Sequence, residues 1–563
     1  MILSPDRFKK INHALLIALA VLLTFLALFV FRSADDNRLF KWHWVFADGN
    51  ASTIFLLLIL GIISAYALAK VSLFERGPIV FLFLFSFATT SIFWTEPELI
   101  MDASRYFTQA KHLEVYGIEY FIREWGKDIT AWTELPVVPF LYGQIFRLFG
   151  ENRIFIQVFT TILFSGTTVL TYLIGRTLWD EETGFYAGML LLGMPYLFTQ
   201  VPLMLVDVPT MFFLTLAIFT FIKALERGGT GMTVLASYAL FLAVFSKFST
   251  WPMLSVLGII FLVYLKRDPA ATLRRSAAVV LLSGVLVGSA ILLKFDVFSE
   301  QLRLLLNYQK PGLERWGESF VSTFLFQINP FITLAAGYSL VVAFKKRDAR
   351  YAIISWLVVL IFIFQIRRIR YILPVFPLLA LMASYGLRTI EGRELKKLIV
   401  FTIVITSLVI AVFAYLPFAL TISAENMKKT GEYLDSLDTG SVEVLTLPLK
   451  DPVANPSVAV PLLDLYTQKR IVYRYHPEYV PPPKDVVTSA LRFTWEFKNP
   501  GYYRETGVQD NKTIVVIRGE TDGIHAPPEY VRKRLKGYRL LKKFDAASDP
   551  FRYKTVVEVY AVD

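Results

Sequence analysis

From Asn12 to Phe418 the chain repeats one pattern, in which apolar runs of about 15 to 25 residues are separated by short charged or Gly/Pro-containing joints. A run of that length matches the hydrocarbon thickness of a bilayer, and its backbone polar groups are satisfied inside a helix. The pattern predicts about thirteen crossings, at 12–31, 53–73, 79–94, 153–178, 184–200, 206–223, 232–246, 251–265, 276–294, 321–344, 351–366, 371–388 and 398–417. After Phe418 the pattern changes to charged helical stretches alternating with short β-branched runs. Ala424 to Leu437 reads as an amphipathic helix leading into a strand at Val442 to Leu447. Leu462 to Gln468 leads into Ile471 to Tyr475, and further strands are expected at Thr513 to Ile517 and Thr555 to Val562. The fold class expected is therefore an α-helical polytopic membrane protein with a C-terminal extracytoplasmic α/β domain. Its divisions are 1–94 for N-terminal transmembrane helices, 95–420 for the main transmembrane module with an outer loop at 95–152, and 421–563 for the soluble domain.

Composition agrees with this division. The 563 residues are 55% hydrophobic and only 18% charged, against about 25% charged in soluble domains. Lys and Arg number 58 against 46 Asp and Glu, a formal charge of +12. The basic residues cluster in short loops, where they report orientation and anionic head groups rather than nucleic acid. With the N-terminus cytoplasmic, the inner loops hold Lys70, Arg76, Arg176, Lys223, Arg227, Lys266, Arg267, Arg274, Arg275, Lys345 to Arg347 and Arg388 to Lys397. This is a positive-inside signature and predicts a multi-pass protein of the cell membrane with its C-terminal domain outside. Asn12 to Phe31 follows Arg7, Lys9 and Lys10 but lacks a small-residue cleavage pattern, so it reads as a retained first helix. The chain has no cysteine, which excludes disulfides and thiolate metal sites.

The same parity puts outside the segments Arg32 to Ser52, Thr95 to Asn152 and Phe295 to Phe320, so any chemistry is expected on that face. Asn50-Ala51-Ser52 and Asn511-Lys512-Thr513 match the N-glycosylation pattern there, and Pro481 to Pro483 marks a loop. In the second of these outer segments, residues Ala103 to Tyr116 form an expected surface helix with Asp102 near its N-terminus, and Pro136 to Phe149 an interfacial helix. Asp102 fits either a helix cap or a functional carboxylate. Asp207, directly before Val208-Pro209 at the outer end of a span, presents the same two alternatives. Arg367, Arg368 and Arg370 lie in a loop that parity places outside, against the positive-inside bias, and arginine is suited to a phosphate. Lys247 also sits at an outer span end, where it either binds or snorkels.

In order along the chain these pieces are DASRY at Asp102 to Tyr106, Glu134-Leu135-Pro136 opening a stretch that closes in RLFGEN at Arg147 to Asn152, VDVP at Val206 to Pro209, SKFS at Ser246 to Ser249, and RYILPVFP at Arg370 to Pro377. The succession resembles the glycosyltransferase C (GT-C) superfamily, specifically the protein O-mannosyltransferase and aminoarabinose transferase group (glycosyltransferase family 39-like), from about Thr95 to Leu387. The resemblance implies an enzyme that passes a sugar from a polyprenyl-phosphate or dolichyl-phosphate carrier to an extracytoplasmic acceptor, either protein, lipid or glycan. Carried over by position, Asp102 would be the catalytic base and Asp207 the second-loop acidic residue, a second catalytic group that orients the acceptor or the base. Lys247, Arg370 and Tyr371 match positions that would hold the donor phosphate, to which the loop charge of Arg367 is added, while Tyr106 and Glu134, together with Arg105, would belong to the acceptor side or the loop. The chain departs from the family pattern at Ala103, where a paired acidic residue is usual, at Leu135, where some relatives have Lys, and in the two helices that precede the pattern.

Residue chemistry agrees with that implication. A sugar phosphate carries its own leaving group, so the reaction needs a base on the acceptor hydroxyl and positive charge around the departing phosphate. One base acting opposite the leaving group predicts inversion. No metal is assigned, although two acidic loops also suit a divalent cation. The expected partners are the lipid-phosphate sugar, the acceptor and membrane lipids, with no nucleic acid. The rival classes are a secondary transporter or lipid-linked-sugar translocase, which would place its charges near the midplane with internal repeats, and a non-catalytic scaffold.

Overall fold

The computed structural model describes residues 5–47, 51–71, 76–309, 317–447, 454–473, 492–495, 497–504, 512–519, 529–546, 551 and 554–562. Both glycosylation patterns and the Pro481 to Pro483 loop fall wholly or partly outside them. Among the described residues, 8 helices are long and apolar enough to cross a membrane: His13–Val30, Ala51–Ala69, Pro78–Thr95, Arg153–Leu178, Asp207–Arg227, Pro269–Leu293, Ile369–Leu387 and Arg393–Ala419. Shorter apolar helices, among them Thr230–Val244, Thr250–Leu265 and Tyr351–Ile363, take up other predicted crossings. The remaining differences have local causes. The run expected at 184–200 breaks into Glu181–Leu191 and the turn Pro195–Phe198, because Pro195 holds Met194 extended (φ −110°, ψ 97°). The run at 321–344 breaks at Asn329-Pro330, where the Asn329 side chain accepts from Phe331 N and starts the Pro330–Lys346 helix. Phe376–Leu387 is buried at every position and lies at the centre of the bundle. The Ala51–Ala69 helix of the N-terminal extension packs along Arg393–Ile410.

Two helices of the 95–152 segment frame the site. Ile100–Glu124 is longer than the surface helix expected and turns out of helical geometry at Gly117 (φ 85°), a conformation that a side chain would strain. Val137–Phe149 crosses it closely, since a Cβ on Gly143 would stand 2.7 Å from the Cβ of Leu113. These helices are therefore held in contact by the absence of a side chain.

The C-terminal residues form a mixed five-stranded sheet of β1 (Ser441–Thr446), β2 (Arg470–Val472), β3 (Thr513–Gly519), β4 (Tyr538–Phe544) and β5 (Thr555–Val562), in the order β2-β1-β3-β5-β4. β1 runs parallel to β2 and β3, whereas β5 is antiparallel to β3 and β4. β4 was not expected from the sequence. It is a largely exposed edge strand carrying Lys542 and Lys543, which blunts the edge and removes the alternation that marks a strand. The Ala424–Asp435 and Ala459–Leu465 helices are both in place, each ending two to three residues earlier than expected.

The domain is fastened to the 95–152 segment by polar contacts. Lys428 Nζ donates to Thr95 O (2.7 Å), Tyr466 Oη accepts from Glu98 N (2.7 Å), and Lys111 Nζ reaches both Asp464 (2.5 Å) and Glu151 (3.0 Å). Burial and the neighbouring Asp464 carboxylate raise the Glu151 carboxyl to about 8.

Candidate functional site

The candidate residues converge at one end of the bundle. Asp102 is in the first turn of Ile100–Glu124, Asp207 opens Asp207–Arg227, Lys247 sits in the break between Thr230–Val244 and Thr250–Met253, and Arg370 opens the Ile369–Leu387 span. Arg176, Lys223, Arg227, Lys266 and Arg388 mark the opposite end of the spans and joints that they terminate. The carboxylates at helix starts are favoured by the positive ends of those helices. Neither is a cap, because the residue before each helix makes no side-chain cap and both carboxylates are engaged by cations instead.

The network is continuous. Lys247 Nζ lies 2.5 Å from Asp207 Oδ1, and Arg370 Nε donates to Asp207 Oδ2 at 2.8 Å. The same guanidinium reaches Asp102 through Nη1, so Arg370 bridges two carboxylates that are 105 positions apart in the chain. Arg105 Nη2 donates to the other Asp102 oxygen at 2.7 Å and its Nη1 pairs with Glu134. Three carboxylates thus alternate with three cations, and the formal charge is zero. Asp207 is sealed at 1% side-chain exposure, whereas Asp102 keeps 23%. Asp102 is therefore the carboxylate within reach of an incoming group.

Burial alone would raise the Asp102 carboxyl, but Arg370 and Arg105 outweigh it and hold the group well below the usual carboxylate range. Glu134 is raised, because burial outweighs its arginine. Burial likewise raises the Tyr106 phenol, which packs 5.6 Å from the Arg105 guanidinium and stays protonated. Tyr371 presents its ring to Lys247 Nζ at 5.0 Å and to Arg368 at 5.5 Å, so it shares the cationic face. Arg367 stands apart from the carboxylates. It is exposed, bonded to Gln365 and packed beside Phe320.

The 367–370 loop is also held from the N-terminal extension. Glu318 accepts from Ile369 N at 3.1 Å and from Asn37 at 3.5 Å, while Asp35 accepts from Ser322 (2.5 Å), Gln327 (2.7 Å) and Trp42 N (2.7 Å). Glu98, four residues before Asp102, stands outside this network. It is fully buried, pairs with Arg153 Nε at 2.8 Å and accepts from Met204 N at 2.8 Å. Sequence reasoning passed over Arg153 and Lys111, whose signal was a basic residue beside a span end or on a surface helix, in each case near an acidic one. Among the described residues no three His, Asp or Glu side chains come together to hold a metal ion.

Comparison with known proteins matches residues 133–293 to the family model of dolichyl-phosphate-mannose-protein mannosyltransferase. An uncharacterized protein of Aquifex aeolicus (strain VF5) is 24% identical over 309 residues, 51% of this chain, and the chain spans about 60% of the length of that relative. The structure of ArnT from Cupriavidus metallidurans bound to undecaprenyl phosphate superposes with a TM-score of 0.52 at 13% identity, covering 86% of this chain and 98% of that one. The apo form of the same protein gives 0.50 at 14% identity with the same coverage. The chain is a multi-pass membrane protein with the fold of that structure.

Proposed function

We propose that this GT-C-fold protein is a membrane glycosyltransferase that takes a sugar from a polyprenyl- or dolichyl-phosphate carrier and transfers it, with inversion, to an acceptor hydroxyl outside the membrane. The observation that carries this reading is the shared arginine. Arg370 joins the partly open Asp102 to the sealed Asp207, with Lys247 beside it, at one end of the bundle. The match to the mannosyltransferase family model and the fold shared with a protein bound to undecaprenyl phosphate support the donor class. In this reading the N-terminus is cytoplasmic and the site faces outward, in keeping with the basic loops at the other end.

The charge balance gives a mechanism. Without substrate, Arg370 and Arg105 hold Asp102 as a poorly basic carboxylate. A donor phosphate brings new negative charge to Arg370, Lys247 and Tyr371 and competes with Asp102 for the guanidinium, so donor binding makes Asp102 more basic. The acceptor oxygen then attacks the anomeric carbon, its proton passes to Asp102, and the carbon–oxygen bond to phosphate breaks with its electron pair leaving on the phosphate. Asp207 keeps Lys247 and Arg370 facing the leaving group. Arg105, paired with Glu134, fixes Asp102 on its other oxygen.

The test is a radiolabelled transfer assay with purified protein, a panel of polyprenyl-phosphate sugars and native membrane extract. Asp102→Asn is expected to lower transfer by about 10²- to 10⁴-fold while carrier binding and folding persist. Transfer unaffected by this substitution removes Asp102 as base. Absence of transfer from every donor, with no carrier bound to folded protein, removes the enzyme class.

A further inference from the structure

Beyond Asp102, the Ile100–Glu124 helix continues a polar stripe. Arg105, Thr108, Gln109 and His112 follow at helical spacing on one face and reach roughly 15 Å from Asp102 at 1.5 Å per residue. They form the floor of a cleft whose walls are the 128–134 loop, with Trp132, and the C-terminal domain, with Phe493 and Phe497. Aromatic rings close the cleft along its length. Phe493 lies 3.9 Å from the Arg105 guanidinium, and Tyr502 meets the His112 ring edge-on at 5.1 Å. The floor has unused hydrogen-bonding capacity, since Gln109 is 98% buried yet its Oε1 has no partner, and neither does Arg105 Nε. Orphaned groups of this kind are costly unless a ligand or water satisfies them.

We propose that this cleft is the acceptor subsite and that its ligand is a carbohydrate chain, a reading that rests on the transferase function above. The polar floor and the aromatic walls, Trp132 on one side and Phe497 on the other, match the hydroxyl edges and the C–H faces of a sugar, while Phe493 covers the Arg105 guanidinium. The unfilled interior is about 40 Å³, room for roughly three waters, so the group that enters beside Gln109 is the size of a hydroxymethyl. A peptide docking through its backbone needs free main-chain groups, and three carbonyls of the loop are taken: Thr130 O accepts from Gln109 Nε2 (2.8 Å), and Ala131 O and Glu134 O both accept from Gln301 Nε2 (2.7 Å). The C-terminal domain thus supplies one wall of the acceptor site. Arg105 connects the cleft to Asp102, where the terminal hydroxyl of the chain is deprotonated.

Binding tests this without the donor. Full-length protein in detergent is titrated with neutral tetrasaccharides of mannose, glucose, galactose or N-acetylglucosamine and with a Ser/Thr-rich peptide, followed by calorimetry. At least one saccharide is expected to bind, with affinity reduced about tenfold in Gln109→Ala and in Trp132→Ala. Trp132→Phe, which keeps a ring, restores most of it, and binding of polyprenyl phosphate is unchanged in all three. Saccharide binding that ignores these substitutions, no saccharide binding at all, or peptide binding that depends on Trp132 each overturns the proposal. If Trp132-dependent saccharide binding holds while no donor supports transfer and no carrier binds, the transferase reading falls and the cleft stands as a saccharide site. If Asp102-dependent transfer holds without such binding, the cleft falls alone.

Discussion

Two buried carboxylate–arginine pairs lie on the same face of this molecule and do different things. Glu98 and Arg153 are 0% and 8% exposed, each Glu98 oxygen has its own partner, and the Arg153 guanidinium also donates to the carbonyls of Trp94 and Glu96. That pair is closed and ties the start of the 95–152 segment to the Leu203–Leu205 turn. Asp102 and Arg370 are paired as tightly, but Arg370 is divided between two carboxylates, Asp102 between two arginines, and the near side stays open. Burial and a salt bridge alone therefore do not mark a site. An ion shared among several counterions can change partner when a ligand arrives, whereas a saturated pair only holds structure.

The largest effect expected follows from breaking the closed pair. Glu98→Ala leaves Arg153 buried without its counter-charge and should lower stability by about 3–5 kcal/mol, read as a fall in thermal midpoint, while the folded fraction keeps its donor and acceptor constants. Loss of catalysis without loss of stability would erase the contrast. Arg370→Lys tests the open pair. The charge is kept but one ammonium cannot span both carboxylates, so transfer should fall about 10²- to 10³-fold with little change in midpoint. Lys247→Ala is milder, since Asp207 retains Arg370; a rise of about tenfold in donor KM with a smaller change in kcat is expected.

The smallest effect is a pH dependence at the domain junction. The docked Glu151 carboxyl, at about 8, holds its proton more tightly than a free glutamate does. Docking stability is therefore complete below the free value, near 4.3, and declines as pH rises through about 8. Limited proteolysis of the C-terminal domain should accelerate as pH rises from about 5 to about 8 in the parent protein and much less in Glu151→Gln. Asp102 has the opposite sign. In the donor-free protein its depressed carboxyl stays ionised at every pH above the ordinary carboxylate range, so kcat/KM for the donor should show no acid limb from it near neutrality.

The membrane spans were legible because hydropathy over about 20 residues is a local property, and lipid leaves the backbone no alternative to a helix. Misjudged runs failed at single residues, Pro195 and Asn329-Pro330, where backbone geometry overrides composition. Asp102, Asp207, Lys247 and Arg370 were legible because charges at span ends are conspicuous. β4 was not, since an edge strand with outward lysines has no alternation to detect.

By itself, then, the sequence determined that this chain crosses the membrane many times, that its C-terminal part is a separate α/β unit, and which charged residues stand at the span ends. Only the tertiary structure decided who pairs with whom. Glu98 and Asp102, four residues apart, acquire unrelated partners because Arg153 and Arg370 are delivered by different helices. The cleft between Gln109 and Phe497 likewise exists only once the C-terminal domain is seated. The physical reason is range: hydropathy and helix signals act over a few turns, while an ion pair or a pocket depends on distances that chain order does not contain.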